Sequence, residues 1–75
     1  MKLTSNEKAT IERLLKSHGL HLDGGSTEID EKGNVVYHIG IRSYYGATNF
    51  GDEIGHKLKD ALHADKIFFS GRQVA

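Results

Sequence analysis

Cysteine is absent from this chain, which excludes disulfide bridges and thiolate metal sites. That absence matters because a domain of 75 residues buries only about 60% of its unfolded surface and has little stability to spare. Long apolar runs are missing too: nothing approaches the roughly 18 residues of a membrane helix. Nor does the polar start of the chain carry the apolar core of a secretory signal. A net charge is also lacking, since ten basic side chains balance ten acidic ones. The general attraction of a basic domain for polyanions is therefore not expected. These absences describe one small domain over residues 1–75, expected to be cytoplasmic, with no membrane partner.

What is present is periodicity. Thr4 and Glu7 have the spacing of a capping box. After them Ala9, Ile11, Leu14, Leu15 and His18 form a helical stripe, with Glu12 and Lys16 as an i,i+4 pair. Gly19 suits the left-handed position after a helix, and Leu20 is placed to close back on Leu15. The prediction is a helix over residues 5–18.

Leu20 and Leu22 then alternate with His21 and Asp23 until Gly24-Gly25, which marks a bulge or a turn. Extended structure resumes over 26–30 with Ile29 as its main apolar member. Glu31-Lys32-Gly33-Asn34 is turn chemistry, and 35–42 is the strongest strand, so the two strands read as an antiparallel hairpin. Val35, Tyr37, Ile39 and Ile41 share one face of that strand; Val36, His38, Gly40 and Arg42 share the other. Gly40 inside a strand signals a bulge or the close approach of another backbone.

Residues 43–48 form a loop with Tyr44 and Tyr45, followed by a helix over 49–63 capped by Thr48 or Asn49. Ile54, Leu58, Ala61 and Leu62 make its apolar stripe, and Glu53 pairs with Lys57. Residues 66–72 read as a last strand in which Phe68 and Phe69 point to opposite sides. The fold class is α+β, helix-strand-strand-helix-strand: a three-stranded sheet with two helices on one face. The other face, carrying Val36, His38, Gly40, Arg42, Phe68, Ser70 and Arg72, is expected to be open unless the tail or the Gly24-Gly25 segment covers it. Charge is also uneven, with Asp23, Glu28, Asp30 and Glu31 at the hairpin and Arg42, Lys57, Lys59, Lys66 and Arg72 later, which suggests two poles.

Candidate chemistry is sparse. His56, Asp60 and His63 share one side of the second helix, but their imidazoles are two turns apart rather than within the single turn that zinc helices use. His18 and His21 flank a helix end, where a structural role suffices. Ser26 lacks a strand-to-helix elbow, Ser43 beside Arg42 has no orienting partner, and nothing raises the pKa of Asp30 or Glu31 in an exposed turn. The stretch Gly46-Ala47-Thr48-Asn49-Phe50-Gly51 could offer backbone N–H groups to an anion, but it matches neither glycine-rich phosphate motif. No catalytic residue, metal or cofactor is expected.

The order of elements resembles that of type II KH-like and BolA-like domains. The loop has no GxxG clamp, and His56 is not part of an Arg-His pair. The first thirty residues are also similar to HicA-type toxins, in which a short helix leads to a strand and Gly-Ser-His; here Gly25-Ser26-Thr27 replaces that histidine. No residue role carries over from either family.

The reading that results is a small non-enzymatic antagonist or adaptor, of the kind found on mobile genetic elements. It would contact a larger protein or nucleoprotein target through Val36, His38, Arg42, Tyr44, Tyr45, Phe68 and Arg72. Self-association as a homodimer is a natural companion. The alternative is an RNA or single-stranded nucleic-acid-binding domain with KH-like topology, using aromatic stacking and the same basic residues.

Overall fold

The computed structural model describes residues 1–43 and 52–73, with side chains for 1–42 and 53–71. The order is α1 (Ser5–Lys16), β1 (His21–Ile29), β2 (Val35–Ser43), α2 (Asp52–Leu62) and β3 (Lys66–Gln73). The strands form one sheet in the order β1-β2-β3, with β1 antiparallel and β3 parallel to the central β2. A parallel pair needs a long crossover, and here α2 supplies it.

Helix α1 starts and stops as its sequence dictates. Glu7 N–H donates to Thr4 Oγ1, and Thr4 N–H donates back to Glu7 Oε1 at 2.8 Å, completing the capping box. At the other end Gly19 has φ 73°, Gly19 N–H donates to the Lys16 carbonyl and Leu20 N–H to that of Leu15. This pair of bonds is a Schellman motif, and it brings Leu20 onto Leu15 with both side chains fully buried. Ala9 is exposed, so the buried stripe is Ile11 and Leu15 with Leu14 beside it. A methyl group adds too little apolar area to pull that part of the helix inward.

The core lies between the two helices and the sheet face that carries Tyr37, Ile39 and Ile41. Ile54 and Leu58 of α2 enter it and Leu62 packs at its margin, whereas Ala61 is exposed and stands outside the stripe expected for it. Leu3 also enters. It comes with a short pairing in which Lys2 bridges Ser26, Thr27 N–H donates to the Met1 carbonyl, and the Met1 nitrogen donates to the Thr27 carbonyl. The first residues thereby cover part of the outer edge of β1. Gly25 makes room for this: a Cβ there would lie 2.6 Å from the His38 carbonyl and 3.2 Å from the Leu3 side chain.

Strand β1 is continuous, with a bulge at Asp23 and Gly24 where the register with β2 slips. Leu22, Gly25 and Thr27 stand opposite the core residues Ile41, Ile39 and Tyr37, and of the three Thr27 is buried. Ile29, expected to be the main apolar contributor, is 56% exposed, because it pairs with Val35 at the hairpin end of the sheet, beside the turn. That turn is held by Asp30, whose carboxylate accepts from the Lys32 and Asn34 backbone N–H groups and from the Asn34 amide. Gly33, at φ 83°, completes it.

Two long-range bonds tie helix and loop to the sheet. The Tyr37 hydroxyl donates to Glu7, so the residue that caps α1 also satisfies a buried phenol. The Asp65 carboxylate accepts from Val35 N–H at 2.8 Å while Asp65 N–H donates to the Val35 carbonyl, pinning the start of β3 to the start of β2.

Candidate interaction face

The sheet face turned away from the helices carries four rows across the strands. In register these are Glu28, Val36 and Lys66; Ser26, His38 and Phe68; Gly40 and Ser70; and His21, Arg42 and Arg72. The rows differ sharply in what they offer.

The third row is filled at Gly40, while Ser70 beside it stays exposed. A Cβ on Gly40 would lie 2.6 Å from the Asp23 carbonyl oxygen and 3.2 Å from that of Gly24, so bulge backbone fills the space of a side chain. Part of the expected open face is therefore covered, by the Asp23-Gly24 bulge rather than by Gly24-Gly25 as a unit. Val36 is a second correction. It is only 3% exposed, standing between Glu28 and Lys66 on the flanking strands, and its side chain is not available for contact.

The second row is where the face is open and apolar. Phe68 is 52% exposed, and its ring stacks on the His38 imidazole with centroids 5.4 Å apart and planes 17° from parallel. His38 Nε2 in turn donates to Glu28 Oε1 at 2.8 Å. Both members of that ion pair are about half exposed, so it contributes under about 1 kcal/mol to stability. The bond and the stack together line up Glu28, the imidazole and the phenylalanine ring across the open face. The expected split of the two phenylalanines is found: Phe69 packs on the core and Phe68 faces out.

In the last row Arg42 is half-buried and its registered neighbours are His21 and Arg72. The Arg72 side chain, Tyr44, Tyr45, the expected caps Thr48 and Asn49 and the glycine-rich stretch 46–51 lie outside the described residues. One member of the expected basic pole departs from it: Lys66 borders the same shallow depression as Glu28, Asp30 and Glu31. Asp30 is held below the usual carboxylate range, first by the Asn34 backbone N–H, with a smaller part from the charge of Lys66.

Elsewhere, Lys57 Nζ donates to His18 Nε2 at 3.3 Å and pairs with Glu53 at 3.4 Å, linking α2 to the end of α1. His56, Asp60 and His63 are exposed on α2 and just beyond it. Among the described residues no three His, Cys, Asp or Glu side chains are grouped so as to hold a metal ion, and no helix is long and apolar enough to cross a membrane. The Glu28–His38–Phe68 cluster, which joins two rows diagonally, was missed as a unit from sequence, although strand alternation places His38 and Phe68 on one face. Comparison with protein-family models, curated proteins and solved structures found no match.

Proposed function

We propose that this protein acts without chemistry of its own, as an antagonist or adaptor that lays its helix-free sheet face against another protein. The observation that carries this reading is Phe68: a large apolar ring, more than half exposed, on a sheet face with no helix over it. Its stack on His38 and the Glu28 bond behind it pre-organise the ring, which reduces the side-chain entropy lost on binding. An aromatic anchor surrounded by polar groups is what protein interfaces concentrate their energy on. Arg42, Arg72 and the Tyr44-Tyr45 loop that follows β2 extend the contact; Val36 does not take part.

The test compares proteins captured from the native host by tagged wild-type chain, by Phe68→Ala, by the pair Tyr44→Ala and Tyr45→Ala, and by Glu12→Ala on the exposed side of α1. A partner held by the wild type and by Glu12→Ala, but lost from Phe68→Ala and the tyrosine pair, supports the reading. The same partner retained by Phe68→Ala removes the sheet face from the contact.

The stacked His38 and Phe68 rings also favour a second reading, single-stranded nucleic acid, because flat aromatic surfaces accept unpaired bases. The absence of net charge weighs against it. Salt separates the two: nucleic-acid binding weakens steeply as salt rises, while an apolar protein contact changes little.

A further inference from the structure

The outer edge of β3 carries a different inference, one that holds whether or not the open face engages another protein. Among the described residues β3 pairs on one side only, whereas part of the β1 edge is covered by Met1 and Lys2. An uncovered edge strand is a template for another strand unless charge, proline or a bulge protects it. Between Lys66 and Arg72 this one has Ile67, Phe68, Phe69, Ser70 and Gly71, with no charge and no proline, and its register with β2 runs without a bulge. Ile67 and Phe69 are also only half-buried, in contrast to Tyr37, Ile39 and Ile41 on the central strand. Among the described residues, the helix-side core is therefore unfinished at this edge.

We propose that the occupant of this edge is β3 of a second copy, paired antiparallel about a twofold axis that passes through Phe68. The sequence selects both occupant and register. A twofold axis normal to the sheet sets residues of the same face opposite one another, so it passes through a residue rather than between two. Centred on Phe69, the pairing would set Lys66 opposite Arg72 of the second copy at both ends, a like-charge clash. Centred on Ser70, it would leave Phe69 opposite Gly71. Centred on Phe68, Ile67 meets Phe69 of the second copy on the helix side, twice by symmetry. On the other side Phe68 meets its own counterpart and Lys66 meets an uncharged serine. Apolar groups face apolar groups, and the two cations stay apart. The result is a six-stranded sheet whose open face carries two Phe68 rings at its centre. The contact is short, so it belongs with weak, concentration-dependent interfaces.

The chain has no cysteine, which permits a clean register test. Sedimentation of the wild-type protein at increasing concentration is expected to show monomer passing to dimer, and Phe68→Lys, which sets two cations opposite each other at an exposed position, is expected to remain monomeric with unchanged circular dichroism. Under mild oxidation, a mixture of Lys66→Cys and Ser70→Cys chains is expected to form a mixed disulfide dimer, and Ser70→Cys alone is not. A protein monomeric at every concentration overturns the proposal, as does a dimer that survives Phe68→Lys or one in which Ser70→Cys links to itself in preference to Lys66→Cys. All readouts use the purified chain alone, so they are independent of whether the open face has a partner.

Discussion

The carbonyl oxygen of Asp23 sits where a side chain on Gly40 would begin, 2.6 Å from the position of its first carbon. The oxygen belongs to a backbone held on both sides by sheet pairing, so it cannot swing away as the tip of a side chain could. Gly40→Ala is expected to destabilise the protein by about 2–3 kcal/mol, the upper part of the range for overpacking. Urea titration checks this, with a lowered midpoint and an unchanged slope as the expected result. Wild-type stability would mean that the bulge does not lie over Gly40.

Acid sensitivity follows from two carboxylates. Glu7 is held below the usual range, first by Thr4 N–H and then by the Tyr37 hydroxyl; Asp30 is lowered by the bonds of its turn. A carboxyl group whose folded pKa is depressed contributes stability above its unfolded pKa and loses it as pH falls through the folded value. Stability should therefore hold near neutrality and decline below the ordinary carboxylate range, about pH 4. Glu7→Gln should flatten part of that decline and leave the share of Asp30, read as urea midpoints across pH.

Tyr37 titrates with the opposite sign. Its phenol is pushed up, chiefly by burial and further by the adjacent Glu7. Stability is thus present below the ordinary tyrosine value, about pH 10, and is lost as pH rises through the folded one. Tyr37→Phe should cost about 1 kcal/mol at neutral pH, because the Glu7 carboxylate is partly exposed and water can replace the hydroxyl. It should also remove that alkaline loss.

His63 ends α2 in the left-handed region at φ 54°, while Ala64 N–H donates to the Lys59 carbonyl. An L side chain is strained there, and glycine is not. The exposed His63→Gly is expected to raise stability by about 0.5–1 kcal/mol, some of the relief being offset by the greater freedom of glycine in the unfolded chain. A fall in melting temperature would show that the imidazole makes a contact worth more than the strain.

Asp65→Ala removes the acceptor for Val35 N–H and should cost about 1 kcal/mol, whereas Asp65→Asn, which keeps an oxygen in place, should cost less. Equal losses in the two variants would point to charge rather than to the hydrogen bond.

Much of this architecture was legible because its causes are local. The capping box, the Schellman end, the alternation of β2, the opposed phenylalanines and the meaning of Gly40 all lie in spacings of a few residues. What escaped is long-range. Glu7 and Tyr37 are 30 positions apart, as are Val35 and Asp65, and nothing near any of them in the chain announces the partner. Leu3 lies outside every periodic run; its burial depends on the missing side chain of Gly25. Ile29 and Val36 were misplaced because alternation assigns a face but not the distance from the sheet margin or the reach of flanking side chains. For the interaction face, sequence named His38 and Phe68 but not Glu28, since the diagonal bond between neighbouring strands depends on a cross-strand register that alternation along one strand does not supply.

The parallel arrangement of β2 and β3 also bears on the order in which the chain assembles. The hairpin closes over a turn of a few residues, but β3 reaches its place only after the whole crossover has been spanned, a larger loss of chain freedom for one ladder. Backbone amides of β3 should then exchange with solvent sooner than those of the hairpin, with the last strand detaching as a unit while α1 and the first two strands remain folded.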